Sequence, residues 1–200
     1  MEFIYSKSMA TIFVDLDKTL ITKNSSTIEL IQLVSLSNPN SFKKLIVSFF
    51  SKSRAAVKES LTDLSPEIDF SKYYSSTVLS ILASAKRENK RIVLATGAME
   101  VTARRVISSY PIEIDHYLTS TKDIRNKGKQ KLDSIQHWNG NTPQTPFAYI
   151  GDAYIDLIIM KHASESYFVG HRSIFLIGKY IKRIRNISYC PNKRISRVND

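Results

Sequence analysis

Cysteine is nearly missing from this chain: Cys190 is the only one in 200 residues. A framework of intrachain disulfides is therefore excluded, and a reducing compartment suits the composition. With no second Cys or neighbouring His, Cys190 offers neither redox-pair nor zinc chemistry and reads as an incidental thiol in a polar tail. Long apolar runs are lacking too. No stretch approaches the roughly 20 residues needed to cross a bilayer. The start, MEFIYSKSMATIFVDLD, has no basic opening followed by a long apolar stretch and a small-residue cleavage site. A soluble, cytoplasmic protein is the expectation.

Acids are the third scarcity: 18 Asp and Glu against 29 Lys and Arg leave a net charge of +11. Arg172, Lys179, Lys182, Arg183 and Arg185, then Lys193, Arg194 and Arg197, face a single acid, Asp200, in the last thirty residues. Such a segment favours phosphates of any kind, whether nucleic acid, anionic lipid headgroups or phosphorylated substrates. The bland alternative is a solvated, partly helical tail. Tyr180 and Tyr189 lie in it, yet no recognised nucleic-acid motif does, so a nucleic-acid partner is not expected. An anionic membrane surface, or a membrane enzyme, is the docking partner that this charge would fit, making the protein peripheral to the membrane. Internal repeats and low-complexity linkers are absent as well.

What remains is an ordinary globular composition, 42% apolar and 24% charged, long enough for one domain with a modest insertion. Five short β-branched or aromatic segments read as strands: 11–15 (TIFVD), 91–96 (RIVLAT), 116–119 (HYLT), 146–150 (PFAYI) and 166–169 (SYFV). Three of these, the first, second and fourth, are continuous apolar runs, as central strands covered on both faces require. Helical spacing fills the intervals at 71–88, 99–109, 129–138 and 154–162. Alternation of this kind predicts a three-layer, Rossmann-like α/β fold around a parallel sheet. One interval breaks the rhythm, because about 75 residues separate the first two strands, far more than one crossover needs. Helices at 26–36, 41–50 and 54–61, closed by Leu64-Ser65-Pro66, predict a small helical cap above the carboxyl ends of the strands, where open α/β sheets bind ligands. The expected organisation is a core of 1–24 and 88–171, a cap and return helix at 25–87, and a basic helix or tail at 172–200.

Four polar segments fall at predicted strand ends. Asp15-Leu16-Asp17-Lys18-Thr19 places two carboxylates two residues apart after a buried run; one can attack phosphorus while the other, protonated, serves the leaving oxygen. Thr96-Gly97 ends the second strand, where a hydroxyl and the N–H groups of a following helix could hold a phosphate oxygen, or Thr96 could simply cap that helix. In Asn126-Lys127-Gly128-Lys129-Gln130-Lys131, an ammonium could neutralise carboxylate and phosphate together. Lys127 is preferred because Gly128 lets the chain turn tightly into the helix; Lys131, one turn on, is the alternative. Gly151-Asp152 to Asp156 supplies a further acid pair, which with Asp15 suits a magnesium ion, or else Asp152 is a helix cap and Asp156 a surface residue. Acid pair, hydroxyl, lysine and acid pair in that order would converge on one edge of a parallel sheet.

These segments, Asp15 to Thr19, Thr96, Lys127 and Gly151-Asp152 through Asp156, resemble the four motifs of the haloacid dehalogenase superfamily, over residues 10–24 and 91–170. The run from Asn126 to Leu132, with the aromatic-Ile-Gly-Asp strand end, looks most like the phosphoserine phosphatase branch and the hydrolase domain fused ahead of UbiA-type prenyltransferases. The resemblance implies a magnesium-dependent phosphatase acting on a small phosphorylated metabolite. Asp15 would carry the phosphoryl group and Asp17 would be general acid and base. Thr96, Gly97 and Lys127 would hold the phosphoryl oxygens. Magnesium would sit between the Asp15 carboxylate, the Asp17 carbonyl and Asp152, with Thr19 and Asp156 behind them. A second acid at Asp17 favours phosphate esters over carbon–halogen bonds. A phosphomutase or phosphotransferase on the same fold, or a non-catalytic domain docking through its basic tail, remains open. Lys18 stands where the family usually has Gly or Ser, and Ser26 stands where phosphoserine phosphatases carry Glu.

Overall fold

The computed structural model describes residues 11–35, 67–140 and 145–193. The helices expected at 41–50 and 54–61 lie outside them. Strand β1 (Thr11–Val14) is followed by helix α1 (Ser25–Ser35), and after residue 66 by α2 (Ser76–Arg87). Then come β2 (Arg91–Met99), α3 (Glu100–Ile107), β3 (His116–Ser120), α4 (Lys129–Trp138) and β4 (Phe147–Gly151). The chain ends with α5 (Leu157–His162), β5 (Glu165–Phe168), α6 (Arg172–Leu176) and β6 (Ile187–Tyr189). The six strands form one parallel sheet in the order β3-β2-β1-β4-β5-β6.

Two packed layers explain why these segments are strands. Ile12 and Val14 of β1 point to one face with Ile92, Leu94 and Ile150, where α2 and α3 bring Val78, Leu82 and Val106. Phe13, Val93 and Tyr149 point to the other, against Leu132 and Ile135 of α4 and Leu157 and Met160 with its neighbour Ile159 on α5. Every second residue thus feeds a different core, the period of two that a doubly covered strand demands. Helix α2 shows the matching helical logic: Ser75 accepts the Val78 N–H as its cap, and Val78, Leu82 and Ala85 form the buried stripe.

The segment read as a basic tail is more built than its charge suggested. Through residue 193 it holds α6, a wide π-type turn (Ile177–Ile181) and the sixth strand. Phe175, Ile184 and Ile187 are buried in the sheet's second core, while the cations stay outside. A strand of three residues inside a cationic stretch gives too little periodicity to be read from sequence. Beyond it, Asn192 Nδ2 donates to the carbonyls of Lys18 and Thr19 at 2.6 and 3.1 Å, and Ser76 N–H donates to Lys193 O. Residues 190–193 therefore tie the end of the described chain to its beginning. Cys190 packs half-buried against the first core rather than in solvent.

Candidate active site

The parallel order brings the ends of β1, β2 and β4 side by side, and the polar segments that follow them share one cavity of about 180 Å³. Asp15, Asp17, Thr96, Lys127, Lys131, Asp152 and Asp156 all contribute to its wall. Asp15 continues the β1 ladder, its N–H donating to Ile150 O at 3.0 Å, before the chain folds back. In that fold-back, Leu20 and Ile21 N–H groups donate to the Asp15 and Leu16 carbonyls, and Leu16 N–H donates to Asp15 Oδ1 at 2.9 Å. Lys18 sits at the crest with φ 59°, a left-handed conformation that a side chain makes costly. Gly would be eased there, which gives the departure at Lys18 a physical address.

Carboxylates crowd the centre. One oxygen each from Asp15, Asp152 and Asp156 can be chosen so that all lie within 4.8 Å of one another. Burial raises the Asp15 carboxyl to about 6, with Lys131 opposing and Asp156 adding to the rise. Burial, then Asp15 and Asp156, raise Asp152 to about 7, although Thr19 Oγ1 donates to Asp152 Oδ1 at 3.1 Å and opposes the shift. Three acids face one fully inserted cation, which leaves the cluster short of positive charge.

That cation is Lys131. Its side chain, 2% exposed, reaches under the sheet edge to place Nζ 3.2 Å from Asp15 Oδ2, 3.3 Å from Asp156 Oδ1 and 3.1 Å from the Tyr149 hydroxyl. Burial alone would lower the ammonium's pKa; Asp15 and Asp156 outweigh it and the net shift is upward. Lys127, the residue that the sequence favoured, lies elsewhere in the cavity wall. Its aliphatic chain crosses directly over Gly97, where a Cβ would lie 2.8 Å from Lys127 Cγ and displace the lysine. The tight turn at Gly128, with φ 56°, does exist, but it starts α4 and thereby swings Lys131, one helical turn later, into the carboxylates. The lysine in contact with Asp15 is the alternative, not the preference.

Two more details concern Asp156 and Thr96. Asp156 is fully buried, which removes the bland alternative of a surface residue, and it accepts from Lys131 and the Tyr149 hydroxyl on Oδ1 and from Ala153 N–H on Oδ2. Thr96 is not followed at once by a helix: β2 runs on through a bulge to Met99, α3 begins at Glu100, and Thr96 Oγ1 accepts the Ala98 N–H. Asp17 turns its Oδ1 to the Ser25 N–H at 2.6 Å, at the start of α1, and stands apart from the three clustered carboxylates. Sequence reasoning missed two supports. Tyr149 is buried on β4 with its hydroxyl in the ion cluster, and its alternation with Ile150 was the available signal. Asn126 joins β2 to β3, with Nδ2 donating to Thr96 O and Leu118 O and its N–H donating to Ser120 Oγ.

No family model and no curated protein matches the sequence. The fold, however, recurs among solved structures. A protein of unknown function from Bordetella pertussis Tohama I superposes with a TM-score of 0.62 at 10% identity, over 90% of this chain and 97% of the other. A haloacid dehalogenase-like family hydrolase from Streptococcus pneumoniae gives 0.56 at 15% identity, over 92% and 94%. A phosphoserine phosphatase with a phospho-aspartyl intermediate analogue gives 0.53 at 13%, over 94% and 95%. At such identities the likeness is one of fold: this chain has the architecture of haloacid dehalogenase-like hydrolases.

Proposed function

We propose that this protein is a magnesium-dependent phosphomonoester hydrolase that works through a phosphorylated Asp15. The observation that carries the reading is the contact of Lys131 Nζ with Asp15 Oδ2 inside a group of three carboxylates at the carboxyl edge of a parallel sheet. The donor set fits magnesium. Hard carboxylate oxygens from Asp15 and Asp152 face the cavity, and the excess of acid over Lys131 is what a divalent cation would offset. Asp156, occupied on both oxygens by Lys131, Tyr149 and Ala153, serves better as a support behind the ligands.

When bound, magnesium would offset negative charge on the phosphoryl oxygens. The protein's own part runs in two steps. An Asp15 oxygen attacks phosphorus, the P–O ester bond breaks, and the leaving oxygen takes a proton from Asp17. Water then attacks the same phosphorus, Asp17 takes its proton, and Asp15 is released with inorganic phosphate. Lys131 keeps Asp15 ionised and oriented while it attacks, and Ser25 N–H fixes one oxygen of Asp17 at the cavity wall. Thr96, Gly97 and Lys127 line the side of the cavity where the transferred group's oxygens would lie. Transfer to a second hydroxyl instead of water would use the same residues.

The test is hydrolysis of p-nitrophenyl phosphate by the purified protein with magnesium, with EDTA, and in Asp15→Asn. Turnover should require the metal and vanish in the variant while circular dichroism stays native. Undiminished turnover in Asp15→Asn would sink the mechanism.

A further inference from the structure

A groove of about 570 Å³ opens beside the catalytic cavity, along the N-terminal ends of α4 and α5. Tyr154, Ile155, Leu157 and Ile158 make it apolar. Lys127, Lys129, Lys161 and Lys182 stand around it, and no acid is among the described residues that line it. Ile155 and Lys127 belong to both the groove and the catalytic cavity, so the two hollows adjoin. Gly128 makes that junction possible: a Cβ there would lie 2.8 Å from Ile155 Cγ1.

Of these apolar residues only Leu157 is buried by the fold. Tyr154, Ile155 and Ile158 remain 52, 49 and 40% exposed, a patch whose transfer from water to a ligand would be favourable. The catalytic cavity, at about 180 Å³, has room for a phosphoryl group and little of an organic leaving group. The groove has the volume of a small-molecule site, with apolar walls and a few charged groups at its margin. The four lysines favour negative charge on the ligand and repel an ammonium.

Resting on the phosphatase reading, we propose that this groove is the leaving-group subsite, and that the substrate is a phosphomonoester of an extended apolar alcohol without a cationic group. The phosphoryl group occupies the cavity at Asp15, the apolar chain leaves past Ile155, and Ile158 packs on its middle. Phosphate esters of short amino alcohols fill the cavity but leave the groove empty.

Steady-state kinetics with magnesium would compare ethyl, butyl and octyl phosphate, each below its micelle concentration, with phosphocholine. From ethyl to octyl, kcat/KM should rise by about tenfold or more as methylenes leave water. Ile158→Asp, at an exposed position on α5, should flatten that rise while circular dichroism stays native. Lys161→Glu combined with Lys182→Glu should improve phosphocholine relative to butyl phosphate. A flat chain-length series with ethyl phosphate still hydrolysed would overturn the inference and spare the phosphatase reading. A flat series together with sedimentation on phosphatidylserine vesicles would also overturn it, assigning the patch to a bilayer surface. No hydrolysis of any ester, p-nitrophenyl phosphate included, would remove the phosphatase reading and this inference with it.

Discussion

At the scale of single residues, the ion cluster separates two lysines that sequence alone leaves nearly equivalent. Lys131 is enclosed by Asp15, Asp156 and Tyr149, whereas Lys127 lies across Gly97 in the wall. Replacing Lys131 with Met would strand two buried carboxylates, so kcat should fall by about a thousandfold and stability by about 3 kcal/mol. Lys127→Met should act mainly on KM and leave the thermal midpoint near wild type; steady-state kinetics and calorimetry of both variants check the contrast. Lys18, at φ 59°, offers the opposite change. Lys18→Gly should stabilise the fold by about 1 kcal/mol, read from urea unfolding, because glycine meets no steric cost in that region. The acids after β1 and β4 were legible because each ends an apolar run. The choice of lysine was not, because it depends on the rotation of α4 about its axis, which the sheet decides.

Among elements, the carboxyl ends of β2 and β3 are held by side chains rather than by ladder bonds alone. Asn126 donates to Thr96 O at 3.3 Å and Leu118 O at 2.7 Å, and Ser120 Oγ donates to Gly97 O at 3.0 Å. Asn126→Ala would remove the side-chain donor to the Thr96 and Leu118 carbonyls and should cost about 2 kcal/mol, with a loss of activity from misplaced Thr96 and Lys127. Thermal unfolding and kcat measured on the same preparation would show both effects together. Strands β1, β2 and β4 and helix α4 could be read from residue type and period, since both layers need the patterns they carry. The bulge after Thr96 could not, because Gly97-Ala98-Met99 is as compatible with a helix start as with a strand that continues. Strand β6 escaped because its apolar residues are only Ile187 and the half-buried Tyr189 amid cations.

For the molecule as a whole, the carboxylate cluster links metal, proton and stability. Asp15 and Asp152 titrate at about 6 and about 7 in the fold, above their ordinary 3.8. The folded state therefore holds more protons than the unfolded one between those values. The sign follows: this contribution to stability is fullest below pH 3.8 and is lost as pH rises through about 6 to 7. Magnesium, which needs the ionised acids, should reverse the trend. Thermal scans in EDTA and in excess magnesium should show a metal-induced rise of about 5 °C or more at pH near 8, and much less at pH near 5. Equal rises at both would contradict the ligand set. None of the helices among the described residues is long and apolar enough to cross a membrane. The basic stretch from Arg172 to Lys193 contributes a strand to the sheet and is hydrogen-bonded to the loop after β1. That last contact sets an order of events during synthesis. The loop carrying Asp15 and Asp17 is synthesised well before Asn192, so its carbonyls wait for a donor that lies 174 positions from Lys18 in sequence. A nascent chain that has paired β1, β2 and β4 still lacks this clasp, so the loop after β1 would be fastened only after those strands have formed.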